Sequence, residues 1–143
     1  MQAVMSAEEM TEFLKEVFPQ VGDLFHVEHL DGVHTVMRMR ITEENLRPGG
    51  TVSGPSMFTL ADVAAYVATM ARIGREALTV TTSCSLDFMR KPAAGKDLVA
   101  KAELLKLGKT MSVTHVLLFS EGEDEPVARA NMTYAIPPKK MTA

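Results

Sequence analysis

With a single cysteine, Cys84, in 143 residues, the chain can form no internal disulfide. No charged-then-apolar leader opens it, and the two absences together point to a reducing, cytoplasmic compartment. No uncharged apolar stretch reaches the roughly 18 residues that a membrane-spanning helix needs. Lysine and arginine form no long run and the formal net charge is -3. Both argue against non-specific binding of nucleic acid or a membrane surface as the main activity. Metal-ligand spacing is missing as well. His26 and His29 lie three apart on a predicted strand, which sets them on opposite faces, and His34 and His115 are isolated. We expect neither a metal nor a cofactor.

The chain does have apolar content, 46% of its residues, enough for the core of one domain spanning residues 1–143. The ends, 1–5 and 138–143, are expected to be disordered. Ser6-Ala7-Glu8-Glu9 has the form of a capping box, and Met10, Phe13, Leu14, Val17 and Phe18 follow at helical spacing until Pro19. Two extended runs, 25–30 and 33–41, flank Asp31-Gly32, a hairpin signal in which glycine supplies positive φ. In the second run Val33, Thr35, Met37, Met39 and Ile41 share one face, and His34, Arg38 and Arg40 the other. Extended runs at 78–89, 98–107, 111–119 and 127–136 follow, separated by short turn-like segments. Consecutive strands are thus expected to be antiparallel neighbours.

Between these sets of strands lies a segment from Gly54-Pro55 to Gly74 that is apolar around almost its whole circumference, as a buried helix should be. A sheet with a buried central helix must curl around it, which is an α+β layout. One carboxylate, Asp62, interrupts the apolar run 57–71. Unpaired it is costly there, so either it is a structural hydrogen-bonder or chemistry requires it.

The stretch Thr51-Val52-Ser53-Gly54-Pro55-Ser56-Met57-Phe58-Thr59-Leu60-Ala61-Asp62-Val63-Ala64 resembles the central motif of hotdog-fold acyl-CoA thioesterases of the phenylacetate-degradation type. Leu86-Asp87-Phe88-Met89-Arg90 and the Gly108-Lys109 turn are similar to later strands of that family, so the likeness covers most of the chain from residue 46 to 136. The resemblance implies a hotdog fold, a homodimer joined edge to edge with a possible dimer of dimers, and hydrolysis of acyl-CoA thioesters. It implies further that the backbone N–H of Gly54 polarises the thioester carbonyl and that Asp62 activates water or attacks the carbonyl carbon. A helix N-terminus suits a developing oxyanion on physical grounds too. Asp62 lies eight residues beyond Gly54, about 12 Å along a helix axis. If both residues act on one carbonyl, the carboxylate must come from a second chain.

The chain departs from the family pattern at three places. Arg47 stands where Asn is usual, Ser53 where His is usual, and Pro55 replaces the second glycine. Ser53, a candidate substrate contact, cannot act as a general acid near neutral pH. Arg90 and Lys91, beside Pro92, are candidates to hold coenzyme A phosphates or are simply solvated charges. Thr82 shares a face with Val80, Cys84, Leu86 and Phe88, which aims its hydroxyl at the helix to position water or to satisfy a backbone group. Cys84 reads as a small packed residue. Two alternatives stay open, a non-hydrolytic acyl-CoA binder and a hydratase or dehydratase of the same fold. The latter needs a histidine that the loop and central helix lack.

Overall fold

The computed structural model describes residues 2–138. The first helix, α1 (Ala7–Val17), starts at a reciprocal cap. The Ser6 hydroxyl accepts the Glu9 N–H at 3.0 Å, and the Glu9 carboxylate accepts the Ser6 N–H at 3.2 Å. Met10, Phe13 and Leu14 are buried on one face. Strands β1 (Phe25–Leu30) and β2 (His34–Met39) form the expected hairpin, with Gly32 at φ 95° in the turn. The Asp31 carboxylate accepts the N–H groups of Val33 and His34 at 2.8 and 2.7 Å, which closes the turn.

The long helix α2 (Gly54–Ile73) has Ser53 as its N-cap and Gly74 as its C-cap. It crosses a six-stranded antiparallel sheet completed by β3 (Val80–Phe88), β4 (Leu98–Leu107), β5 (Met111–Ser120) and β6 (Ala128–Ala135). Leu60, Val67 and Met70 meet Met37, Val116, Leu118 and Met132 in the core. Burying each such side chain contributes about 1.5–3 kcal/mol before chain entropy is counted. Ala61, Ala64, Ala65, Ala68 and Ala71 are buried too, and their small size lets helix and sheet approach closely. This is the α+β hotdog layout expected from the sequence, including the extra N-terminal helix.

Three expectations need correction. The sheet order is β1-β2-β4-β5-β6-β3, so β3 pairs with β6 and not with its successor β4. The connection after β3 is long enough to pass across the sheet end, where the Ala93 N–H donates to the Ser120 hydroxyl at the end of β5. His26 and His29 lie on one face. A bulge between Val27 and His29 adds a residue, so that they stand opposite Arg38 and Val36 on the outer side. Cys84 is exposed, because β3 runs at the sheet edge beyond the main cover of α2. In the segment before α1 Met5 is buried and the Val4 N–H donates to Ala71 O at 2.7 Å, while the Val4 side chain is exposed. Residues 139–143, expected to be disordered, lie outside the described part. No helix among the described residues is long and apolar enough to cross a membrane.

Candidate active site

The loop before α2 is built by its glycines and by one buried amide. Gly49 and Gly50 take φ 99° and 80°, which side-chain-bearing residues rarely adopt, and this lets the Arg47 N–H reach Thr51 O at 2.9 Å. Asn45 is buried and ties the loop to the helix. Its carbonyl accepts the Ser53 N–H at 2.8 Å, and its amide donates to the Ser56 hydroxyl at 3.1 Å. Sequence reasoning missed Asn45. The Thr42-Glu43-Glu44-Asn45 run, a capping box around a short 3-10 turn, was the available signal.

This arrangement leaves one free donor in the first turn of α2. The Ser56 N–H points at the Ser53 hydroxyl at 3.3 Å and the Met57 N–H at Ser53 O at 3.1 Å, while Pro55 has no N–H. The Gly54 N–H has no acceptor among the described residues. A cavity of about 370 Å3 opens against Gly54, walled by Val52, Met57, Phe88 and Met89 and rimmed by Arg47, Arg90 and Lys91. The Phe88 ring lies so close that a Cβ at Gly54 would stand 3.2 Å from it. A helix N-terminus with one unpaired amide, facing a cavity with apolar walls and a cationic rim, can hold a carbonyl that is gaining negative charge.

The predicted site residues divide into two groups. Gly54, Arg90 and Lys91 line this cavity, whereas Ser53, Asp62 and Thr82 do not. The Ser53 hydroxyl is spent on the helix start, capping Ser56 and bonded to its hydroxyl at 3.0 Å. Arg90 is held by Glu125 at 2.8 Å and by Pro126 O at 3.0 Å. Among the described residues Arg47 and Lys91 make no ion pair.

Asp62 sits further along α2, on a partly exposed stripe with Phe58, Thr59 and Val63. Its Oδ1 accepts the Thr81 hydroxyl at 2.5 Å and the Tyr134 hydroxyl at 2.6 Å. Thr82 does not reach Asp62; its hydroxyl satisfies a backbone group, the second of the two readings its position allowed. A bulge between Thr81 and Ser83 puts Thr81 opposite Tyr134 on the helix side, and Thr82 donates instead to Thr133 O at 3.3 Å. Period-two reading of the Val-Thr-Thr-Ser-Cys run therefore picked the wrong threonine, because a bulge leaves no mark in so uniform a stretch. Burial and the adjacent Asp62 carboxylate push the Tyr134 phenol far above its ordinary ionisation range, so that it remains a donor.

Fold and site together define a hotdog protein whose central helix carries an anion-receptive start and a clamped carboxylate. The thioesterase superfamily model matches residues 49–127, more than half of the chain. The chain belongs to the thioesterase superfamily and is a thioesterase, as the resemblance read from its central motif implied. It is 54% identical to a candidate thioesterase of Silicibacter sp. TM1040, whose crystal structure superposes with a TM-score of 0.90 over 96% of each chain. Human acyl-coenzyme A thioesterase 13 is 28% identical over 135 residues, 87% of this chain and 94% of its own length. A point mutant of the phenylacetic acid degradation protein PaaI from Thermus thermophilus is also 28% identical, with a TM-score of 0.71 over 83% of this chain and 99% of its own.

Proposed function

We propose that this thioesterase hydrolyses acyl-coenzyme A in an active site completed by a second copy of the chain. Gly54 of one subunit is the oxyanion donor, and Asp62 of its partner is the base or nucleophile. The observation that carries this reading is the separation of the two groups. The unpaired Gly54 amide opens on the cavity, Asp62 lines no part of it, and eight helical residues put them about 12 Å apart along the axis. With Asp62 as base, a water oxygen bonds to the thioester carbon while its proton passes to the carboxylate. Charge gathers on the carbonyl oxygen against the Gly54 N–H, and the carbon–sulfur bond then breaks to release acid and thiolate. A thiol ionises at about pH 8.5, far below an alcohol, so the thiolate leaves without the imidazole that Ser53 replaces. No cofactor enters beyond the coenzyme A of the substrate.

The edge of the sheet supports the dimer. β3 is a nine-residue edge strand with no partner on its outer side among the described residues, and Leu78, Val80, Phe88 and Met89 on or beside it are exposed large hydrophobics. Such an edge invites pairing with a second β3, and a two-fold axis there carries each Asp62 stripe toward the other subunit's cavity. The coenzyme A phosphates are assigned to Arg47, Arg90 and Lys91 on the cavity rim, with Lys91 and Arg47 the cations unclaimed by carboxylates among the described residues.

Thiol release from short, long and aryl acyl-CoAs tests the activity. Asp62→Ala is expected to lower kcat by about 10^2- to 10^4-fold, and a variant with full activity overturns the role of the carboxylate. Mixing Asp62→Ala with Gly54→Val, whose side chain fills the space against Phe88, tests the shared site. Random pairing makes half the dimers mixed, each with one whole site, so about a quarter of wild-type activity should return. No rescue counts against a shared site.

A further inference from the structure

The proposed hydrolysis gives Tyr134 no part, yet its hydroxyl reaches both the side chain and the main chain of Asp62. It lies on β6, 3% exposed, directly opposite Thr81 in the ladder with β3. Its ring packs edge to face on Tyr66 with centroids 6.2 Å apart, and Tyr66 packs likewise on Phe18 at 5.6 Å. The Tyr66 hydroxyl donates to Ala77 O in the connection between α2 and β3. An aromatic row thus runs from the end of α1 through α2 to β6, and it leaves the Tyr134 ring no freedom to swing away.

At the end of this row the Tyr134 hydroxyl lies 2.6 Å from Oδ1 of Asp62 and 2.6 Å from the backbone carbonyl of the same residue. One O–H shared between an aspartate's side chain and its own main chain fixes the side-chain torsion. The Thr81 hydroxyl, at 2.5 Å, is the second donor to the same Oδ1. No described residue donates to Oδ2.

Resting on the reading of Asp62 as the reacting carboxylate, we propose that Tyr134 is a positioning residue for the hydrolysis. It locks Asp62 in one rotamer, with Oδ1 occupied and Oδ2 alone presented to the water or the carbonyl carbon. The physical gain is preorganisation. An exposed aspartate on a helix samples several rotamers, and one held by two hydroxyls does not have to be ordered in each turnover. Both donors are neutral hydroxyls, so they orient the carboxylate without neutralising its charge as a lysine or arginine would.

Tyr134→Phe is the test, because it keeps the aromatic row and removes only the hydroxyl. Misplacement of the carboxylate should lower kcat by about 10- to 100-fold while KM stays within about 2-fold. In an Asp62→Ala background the same change should cost nothing further, since there is no carboxylate left to hold. A crystal structure of Tyr134→Phe should show Asp62 in another rotamer or in several. Wild-type kcat in the variant, an undisturbed Asp62 rotamer, or an equal loss in the Asp62→Ala background each overturns the proposal. Failure of the functional reading is separable from this. If the wild-type chain hydrolyses no acyl-CoA, that reading falls, and the Asp62 rotamer in the variant still decides whether Tyr134 holds the carboxylate.

Discussion

The two edges of the sheet are built differently. At one edge, β1 is six residues long and covered by α1. The helix also satisfies one N–H of the strand, since the Thr11 hydroxyl accepts the buried Val27 N–H at 3.1 Å while donating to Ala7 O at 2.9 Å. Arg38 on the neighbouring β2 reaches Glu28 on β1 at 2.6 Å and also Glu121 beyond β5, tying the edge to the turn beside it. At the other edge, β3 is nine residues long, and neither helix covers it as α1 covers β1. Val80 and Phe88 are 55% and 54% exposed. One edge is covered by a helix of the same chain, and the other is left open beside the proposed site. An apolar edge is a liability unless it has a use, and here Asp62 and the Gly54 cavity flank it.

The largest effect expected from this contrast is on assembly. Val80→Glu places charge on the open edge and should yield monomers by light scattering, with thiol release falling about 100-fold or more as the shared site is lost. His26→Glu puts the same charge on an exposed position of β1 and should change neither quantity. Dissociation by both variants, or by neither, breaks the comparison.

A smaller effect is expected on stability alone, at the covered edge. Thr11→Val keeps the shape but leaves the buried Val27 N–H without its acceptor, a loss of about 1–3 kcal/mol in urea unfolding. Assembly should be unchanged. If Thr11→Val also dissociates the protein, the covered edge is not independent of the open one.

The smallest effect belongs to the hairpin that ends the covered edge. The Asp31 carboxylate is held well below its usual range, first by the His34 N–H, then by His29 and the Val33 N–H. Its folded ionisation lies below the unfolded value of about 3.9, so its stabilisation is complete above that pH and fades as pH falls toward the folded value. Asp31→Asn should therefore lower Tm slightly at pH 7, with the gap to wild type narrowing below about pH 4. A gap that does not change with pH removes Asp31 from the account of this edge.

Much of this was legible in local chemistry. The Ser6 capping box, the Asp31-Gly32 turn, and the start and end of α2 at Gly54 and Gly74 each depend on residues close in sequence, and each stands as read. The cost of an aspartate in an apolar helix was legible for the same reason. The donors to Asp62 were not. Thr81 and Tyr134 reach it across 19 and 72 residues, and the bulge that selects Thr81 over Thr82 comes from the pairing of β3 with β6.

The sequence by itself determined the elements, the Ser6 cap, the glycines that bound α2, the family and the candidacy of Gly54 and Asp62, because these follow from residue type and short spacing. Only the tertiary structure decided that β3 lies at the edge, that Ser53 serves the helix start and not the cavity, and that two hydroxyls hold one oxygen of Asp62. Those outcomes rest on which strands meet, and strand order is set by burial and chain crossing over the whole molecule, which no local pattern encodes.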